Sequence, residues 1–210
     1  TSGPTYEPID VVRFIGNHSS GKQGHAIAHA LSELGAETTL VTGPTNQPIP
    51  EGIESINVET AEEMHNACMN SLPTDIVVCA AAVSDWRPKK NASIKIKKTN
   101  KTSIPKFELT ETRDILMSFT KIKNKRPSLI IGFAAESNNI LSNAKKKYIK
   151  KGCDWLLAND VSKESKVLSG DENQIFFITN KGVDNWPLMS KKEVGDKLAL
   201  KIAKHFGKSK

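Results

Sequence analysis

The sequence predicts an α/β fold: a doubly wound, Rossmann-like, mostly parallel sheet with helices on both faces. Three observations predict it. Short apolar runs alternate with helical patterns along the whole chain, as strands joined by crossover helices do. Two runs, residues 75–83 and 129–135, are almost continuously apolar and rich in β-branched residues, as strands buried on both faces are. Polar clusters follow the strand-like runs directly, and in open parallel sheets ligands bind outside the carboxyl ends of the strands.

Residues 1–10, rich in Gly, Pro and Thr, are expected to be a loop leaving a strand; the opening Thr1-Ser2-Gly3-Pro4 has no initiator Met, which leaves room for a preceding segment. Val11-Val12 and Phe14-Ile15 read as the next strand, and Gly16-Asn17-His18-Ser19-Ser20-Gly21-Lys22-Gln23-Gly24 follows it. A helical pattern comes next, with Ala26, Ile27, Ala30, Leu31 and Leu34 on one face and Gly35 as its stop. Residues 38–42 read as a strand ended by Gly43-Pro44, and a proline-rich loop leads to alternating Ile53, Ile56 and Val58. Thr60-Ala61-Glu62-Glu63 opens a helix with acidic residues where the dipole favours them, and Met64, Ala67 and Cys68 face inward.

The buried strand at 75–83 ends at Asp85-Trp86-Arg87-Pro88. Residues 89–106 are charged, with little core-like content, and read as a solvated basic flap or hairpin. Residues 113–122 read as a helix with Ile115, Leu116 and Phe119 inward. The strand at 129–135 ends in Glu136-Ser137-Asn138, and a lysine-rich helix spans about 140–151. Its Lys147 and Lys151, four apart, share a face, either an ordinary solvated face or a phosphate site. Residues 155–158 form a strand ending at Asn159-Asp160, and residues 174–179 form a late strand. Ser190 and Glu193 make a capping box opening a last helix through Val194, Leu198, Ile202 and Phe206. The whole of 1–210 reads as one domain with an excursion at about 86–110.

Composition narrows the function. Apolar residues make up 38% and charged residues 25% of the 210, which is a globular balance and not a disordered one. No apolar run approaches a membrane span and no signal peptide is present, so a cytoplasmic protein without membrane partners is expected. The net charge of +7 favours anionic ligands. Nucleic acid is not expected, because the lysines are spread along the chain and aromatics are only 6%. Cys68, Cys79 and Cys153 form no C-x-x-C pair, which argues for free or buried thiols in a reducing compartment. Trp86, Trp155 and Trp186 read as packing residues.

The glycine-rich stretch is the main functional signal. Strand, small polar loop and helix together present backbone N–H groups at a helix N-terminus, which attracts anions. Gly16 to Lys22 fits G-x-x-x-x-G-K, but Gln23 stands where a P-loop needs Ser or Thr for magnesium. Gly21 and Gly24 lack the earlier G-x-G of a dinucleotide fingerprint. A glycine turn with no ligand is the plain alternative; two hydroxyls, an amide and a lysine within six residues favour a polar ligand.

Several motifs in the same order complete the reading: Thr1-Ser2-Gly3, Glu7-Pro8-Ile9-Asp10-x-Val12-Arg13, Asn17-His18-Ser19-Ser20-Gly21-Lys22, Ala80-Ala81-Ala82-Val83-x-Asp85, Lys95-Ile96-Lys97-Lys98, Gly132-Phe133-Ala134-Ala135-Glu136 and Ala158-Asn159-Asp160-Val161. Nearly end to end, the chain resembles bacterial phosphopantothenoylcysteine synthetase (phosphopantothenate–cysteine ligase), a coenzyme A biosynthetic family found standalone or as the C-terminal half of a bifunctional protein. Pro4 stands where that family usually has Gly, and Trp86 where it has another aromatic such as Tyr.

The resemblance implies that CTP activates the carboxylate of 4′-phosphopantothenate as an acyl-cytidylate, releasing pyrophosphate, and that L-cysteine then displaces CMP. It implies catalytic roles for Asn17 and Lys95, the latter on the flap. It implies nucleotide contacts from Ser19, Cys79, Ala80, Ala81, Asp85, Lys95, Arg113, Asp114, Ile115, Leu116, Phe133, Lys147 and Lys151. Substrate contacts fall on Asn17, His18, Ser20, Gly21 and Lys22. Asp85 meets either a ribose hydroxyl or Mg2+. FMN is implied only for a separate N-terminal decarboxylase domain of a longer protein. A homodimer is implied, with the flap region as part of the contact. His18 is not read as a general base, because no acid–base partner is evident near it. An NAD(P)-binding oxidoreductase on a similar sheet is the alternative.

Overall fold

The computed structural model describes residues 1–97, 106–162 and 170–207. A hairpin of β1 (Tyr6–Pro8) and β2 (Phe14–Gly16) comes first, followed by helix α1 (Lys22–Glu33). Then come β3 (Thr39–Thr42), β4 (Glu54–Asn57), α2 (Ala61–Asn70) and β5 (Ile76–Cys79). A second hairpin pairs β6 (Trp86–Pro88) with β7 (Leu109–Glu111). The chain continues through α3 (Ile115–Thr120), β8 (Leu129–Glu136), α4 (Ile140–Lys151) and β9 (Trp155–Asp160). It ends with β10 (Glu172–Asn173), β11 (Ile175–Thr179), β12 (Gly182–Asn185), β13 (Met189–Ser190) and α5 (Lys191–Gly207).

Residues expected to be a leading loop instead join two parts of the sheet. The Ser2 N–H donates to Val41 O and the Gly43 N–H to Ser2 O on one side; on the other the Ala82 N–H donates to Gly3 O. Parallel bridges tie Ser2 to Thr42 and Pro4 to Ala82. With this segment counted, the order across the sheet is β4, β3, Ser2–Pro4, β5, β8, β9, β11, β12. Its first six members follow the chain order 3-2-1-4-5-6 of dinucleotide-binding folds. They run parallel, while β11 and β12 add an antiparallel edge.

The apolar run at Val11–Ile15 is therefore not a sheet strand. β2 pairs antiparallel with β1 as an arm off the sheet, and Val11, Val12 and Phe14 are exposed. The sheet strand that precedes the glycine-rich loop is the Ser2–Pro4 segment, and the hairpin is inserted between them.

Alternation along β8 sets the two cores. Leu129 and Ile131 face one side, with Ile27 of α1 and Val194, Leu198 and Ile202 of α5. Ile130 and Ala134 face the other, with Met64 and Cys68 of α2, the α3 residues Ile115, Leu116 and Phe119, and Ala144 of α4. The predicted capping box at α5 forms, and a second one, not predicted, opens α2. Glu63 N donates to Thr60 Oγ1 and Thr60 N to Glu63 Oε2; Ser190 and Glu193 do the same at α5. Trp155 and Trp186 pack around Phe177. Trp86, expected to be buried, is exposed on the second hairpin.

Candidate functional site

The loop between β2 and α1 is held by its carbonyls. Gly21 is the N-cap of α1 with φ +74°, a left-handed conformation suited to glycine, and a side chain there would also strike Thr45. Thr45 Oγ1 donates to Ser20 O at 2.8 Å, and Ser2 Oγ donates to Gly21 O at 2.9 Å. His25 Nδ1 lies 3.0 Å from that same carbonyl and 2.9 Å from Ser2 Oγ. Ser2 has spent its proton on Gly21 O, so Nδ1 of His25 carries the hydrogen. Burial pushes the His25 imidazole below its ordinary pKa, consistent with a neutral ring. The loop amides are held loosely by contrast. Gly21 N reaches Ser19 Oγ at 3.3 Å and Lys22 N reaches Ser20 Oγ at 3.5 Å, long contacts that a stronger acceptor displaces readily.

That loop forms one wall of a cavity of about 150 Å³ at the carboxyl ends of β5, β8 and β9. This is the switch point of the sheet, where the strand order reverses. His18, Ser19, Ser20, Gly21, Lys22, Ala80, Ala81 and Phe133, all expected at a site, line it together. His18 is exposed at its rim and has no packing role. Asn17 sits beside it, its Nδ2 donating to Val83 O at 2.9 Å, so the loop is tied to the end of the β5 segment.

The remaining expected residues are not among those that line this cavity. Asp85 is exposed beyond β5, with its carbonyl accepting from Thr112 N. Among the described residues no cluster of three metal-ligating side chains exists. Lys95 is exposed on a segment clamped to the first hairpin: Ile96 N donates to Asp10 Oδ2, and Arg13 reaches both Asp10 and Ile96 O. Lys98 and residues 99–105 of the expected flap lie outside the described residues.

Arg113, expected within a helix, precedes α3, and Asp114 caps it by accepting from Met117 N at 2.9 Å. Ile115 and Leu116 are core side chains. Lys147 pairs with Glu136 at 3.7 Å and Lys151 with Asp114, so the shared face is neutralised rather than simply solvated. Cys79 is packed against the core, where burial pushes its thiol up to about 12; Cys153 rises to about 11 for the same reason. Both stay protonated at neutral pH and neither is a nucleophile.

A profile of the DNA/pantothenate metabolism flavoprotein C-terminal domain matches residues 1–206. The chain belongs to this family. It is 40% identical over 203 residues to the Coenzyme A biosynthesis bifunctional protein CoaBC of Vibrio parahaemolyticus, covering 96% of this chain and 51% of that protein. Against the CoaBC of Escherichia coli strain K12 the identity is 38% over 208 residues, covering 98% and 51%. The chain thus spans about half the length of these relatives. A crystal structure of the C-terminal domain of Coenzyme A biosynthesis bifunctional protein CoaBC is 36% identical and superposes with a TM-score of 0.80, covering 99% of this chain and 93% of that one. Nothing in these likenesses favours the oxidoreductase alternative; the strand order shared with dinucleotide-binding folds explains why it arose.

Reading the sequence alone missed part of the cavity wall. Gln23 was legible only as the residue that spoils a P-loop, yet it lines the cavity with Asn173 and Lys191. Lys191 carried a signal: a lysine directly after an N-cap serine sits where the helix dipole disfavours a cation.

Proposed function

We propose that this domain of the flavoprotein C-terminal family is a phosphopantothenate–cysteine ligase. The observation that carries this is the cavity at the switch point, where loosely held loop amides and Lys22 meet the Ala80–Ala82 segment, in a chain about 40% identical to CoaBC proteins. Their name places them in coenzyme A biosynthesis.

In the proposed reaction a carboxylate oxygen of 4′-phosphopantothenate attacks the α-phosphorus of CTP. The bond to the β-phosphate breaks and pyrophosphate leaves. The amine of L-cysteine then attacks the acyl carbon, CMP leaves with the bonding electrons, and the nitrogen gives up its proton. The loop amides of residues 19–22 and the N-terminus of α1 offset phosphate charge. Asn17 stands at the junction of loop and β5, where its amide can donate to the oxygen on which charge develops. Lys95, carried on the clamped segment, adds positive charge during the first step. Asp85 would hold Mg2+, which screens the triphosphate when bound.

A homodimer belongs to this proposal. Val11, Val12 and Phe14 on the first hairpin and Trp86 and Leu109 on the second are exposed apolar side chains, which supports a partner covering the hairpins. Sedimentation decides it: a monomer active at full rate refutes the dimer. No described helix is long and apolar enough to cross a membrane, and a cytoplasmic setting is proposed with the ligase. FMN would belong to a separate N-terminal domain of a longer protein.

The deciding experiment is pyrophosphate release with 4′-phosphopantothenate and magnesium, comparing CTP with ATP, with and without L-cysteine. Release with CTP, and amide product only after cysteine is added, is expected. Folded protein that releases no pyrophosphate from either nucleotide overturns the reading.

A further inference from the structure

Two carbonyls of the glycine-rich loop are pinned by side chains from three separate parts of the chain. Ser20 O accepts from Thr45 Oγ1 at 2.8 Å. Gly21 O accepts from Ser2 Oγ at 2.9 Å and lies 3.0 Å from His25 Nδ1. It also takes the helical bond from His25 N at 3.1 Å. None of Ser2, His25 and Thr45 is among the residues that line the cavity. Ser2 and His25 are buried. Each pin is itself held. Thr45 Oγ1 accepts from Gln47 N at 3.2 Å, and its one proton goes to Ser20 O. Ser2 is fixed in the sheet, its N–H on Val41 O and its carbonyl accepting from Gly43 N. Its Oγ lies 2.9 Å from His25 Nδ1, so one imidazole nitrogen serves both Ser2 and Gly21.

Peptide geometry carries these pins to the cavity. A trans peptide holds its C=O and the following N–H on opposite sides of one rigid plane. The Ser20 carbonyl shares a plane with the Gly21 N–H, and the Gly21 carbonyl shares one with the Lys22 N–H. Carbonyls fixed toward residues outside the cavity aim both N–H groups the other way. There Gly21 N reaches Ser19 Oγ at 3.3 Å and Lys22 N reaches Ser20 Oγ at 3.5 Å, and all four residues line the cavity. Gly21, at φ +74°, has the most backbone freedom of any residue type, so the planes on either side of it are the ones that need holding.

We propose that Ser2, His25 and Thr45 are positioning residues: they fix the two peptide planes so that the Gly21 and Lys22 N–H groups face a phosphate in the cavity. They act through the backbone and touch no ligand. This rests on the ligase reading and names the residues outside the cavity that build its phosphate loop.

Paired substitutions separate positioning from packing. Thr45→Val keeps the volume and loses the hydroxyl; Thr45→Ser keeps the hydroxyl and loses a methyl. His25→Phe and His25→Asn divide the same way, because an Asn amide can stand in for Nδ1–H. In titration calorimetry with inorganic pyrophosphate and with CTP, Thr45→Val and His25→Phe are each expected to bind about three- to tenfold more weakly, the scale of one hydrogen bond. Thr45→Ser and His25→Asn should stay near the wild type. The opposite order is the signature of packing and overturns the proposal, as does equal affinity in all four. NMR order parameters read the planes without a ligand. The Gly21 N–H is expected to be rigid in the wild type, at about 0.85, and to loosen in Thr45→Val; the Lys22 N–H should loosen in Ser2→Ala. Unchanged order parameters overturn the positioning role. If His25→Phe fails to fold, the Thr45 pair carries the test. Wild-type protein that binds neither pyrophosphate nor CTP sinks the ligase reading, and the order parameters then decide the positioning role by themselves.

Discussion

Two pairs of lysines differ in their surroundings: one lies on α4, outside the residues that line the cavity, and the other lines it. On α4 Lys147 has Glu136 and Lys151 has Asp114, one carboxylate each. On the glycine-loop wall Lys22 pairs with the Asp171 carboxylate, while Lys191 donates its backbone N–H to the Asp171 carbonyl and its ammonium to Gly170 O. Partly exposed pairs of the first kind contribute little stability, about 0–1 kcal/mol, and present no net charge. Lys22, which lines the cavity at the start of α1, has no acidic residue in that helix's first turn. Under the proposed ligase reading, the phosphates belong at the glycine-rich loop that lines the cavity and the nucleoside toward α4.

The largest expected effect breaks the loop wall itself. A side chain at Gly24 would meet Ser2 Cβ at 2.5 Å and Ser2 Cα at 2.9 Å, so α1 packs against the first sheet segment only because that side chain is missing. Gly24→Val is expected to cost about 1–3 kcal/mol or more and to abolish nucleotide binding, because Ser2 also holds the Gly21 carbonyl. Thermal unfolding and CTP titration check it; unchanged values would mean the close approach does not build the site.

A smaller effect sharpens the contrast. Asp171→Asn removes the carboxylate that pairs with Lys22. Pyrophosphate affinity is expected to rise several-fold, the reverse of the usual result of altering a binding wall. Glu136→Gln beside α4 is expected to leave pyrophosphate affinity unchanged. Equal shifts in both variants would abolish the distinction between the two lysine pairs.

Acid pH probes the same carboxylate. The hydrogen bond from Lys22 lowers the Asp171 pKa below its ordinary value. A depressed carboxylate contributes stability that is full above its unfolded pKa of about 3.9 and is lost as pH falls through the folded value. Asp10, held far lower still by Arg13, adds a second loss at lower pH. Carbon-detected NMR of Asp171 should show a midpoint below 3.9 in the wild type and a return toward it in Lys22→Met; identical midpoints would mean that the ion pair does not form in solution.

These two regions were unequally legible in the sequence. Periodicity marked α4 and the strand ends, because a lysine face and an apolar strand each repeat at their own spacing. The glycine-rich loop was visible as chemistry, but the strand assigned before it was wrong. Val11, Val12, Phe14 and Ile15 look like a core strand, and they lie on a hairpin arm. Ser2–Pro4, too short and too rich in Gly and Pro to read as a strand, does the joining through backbone hydrogen bonds, which no side-chain pattern reports. Glu7 and Asp10 were part of a recognised motif, yet their roles needed coordinates: buried Glu7 accepts from Ala61 N at the start of α2, and Asp10 clamps Ile96. Asn173 and Lys191 lie about 150 and 170 residues from the loop they meet, which local pattern cannot span.

The smallest effect is the strictest test of the comparison. Lys147→Met leaves Glu136 without its partner at 3.7 Å, and Glu136 is 19% exposed in its side chain. A pair at that distance and exposure contributes less than about 1 kcal/mol, so the melting temperature should barely move. Lys147 is already paired with Glu136, so whatever nucleotide affinity is lost should be lost by CTP and CMP alike, and pyrophosphate affinity should hold. If Lys147→Met instead weakens CTP while sparing CMP, then the triphosphate runs along α4, the carboxylates there do not neutralise their lysines in the bound state, and the assignment of the phosphates to the loop wall fails.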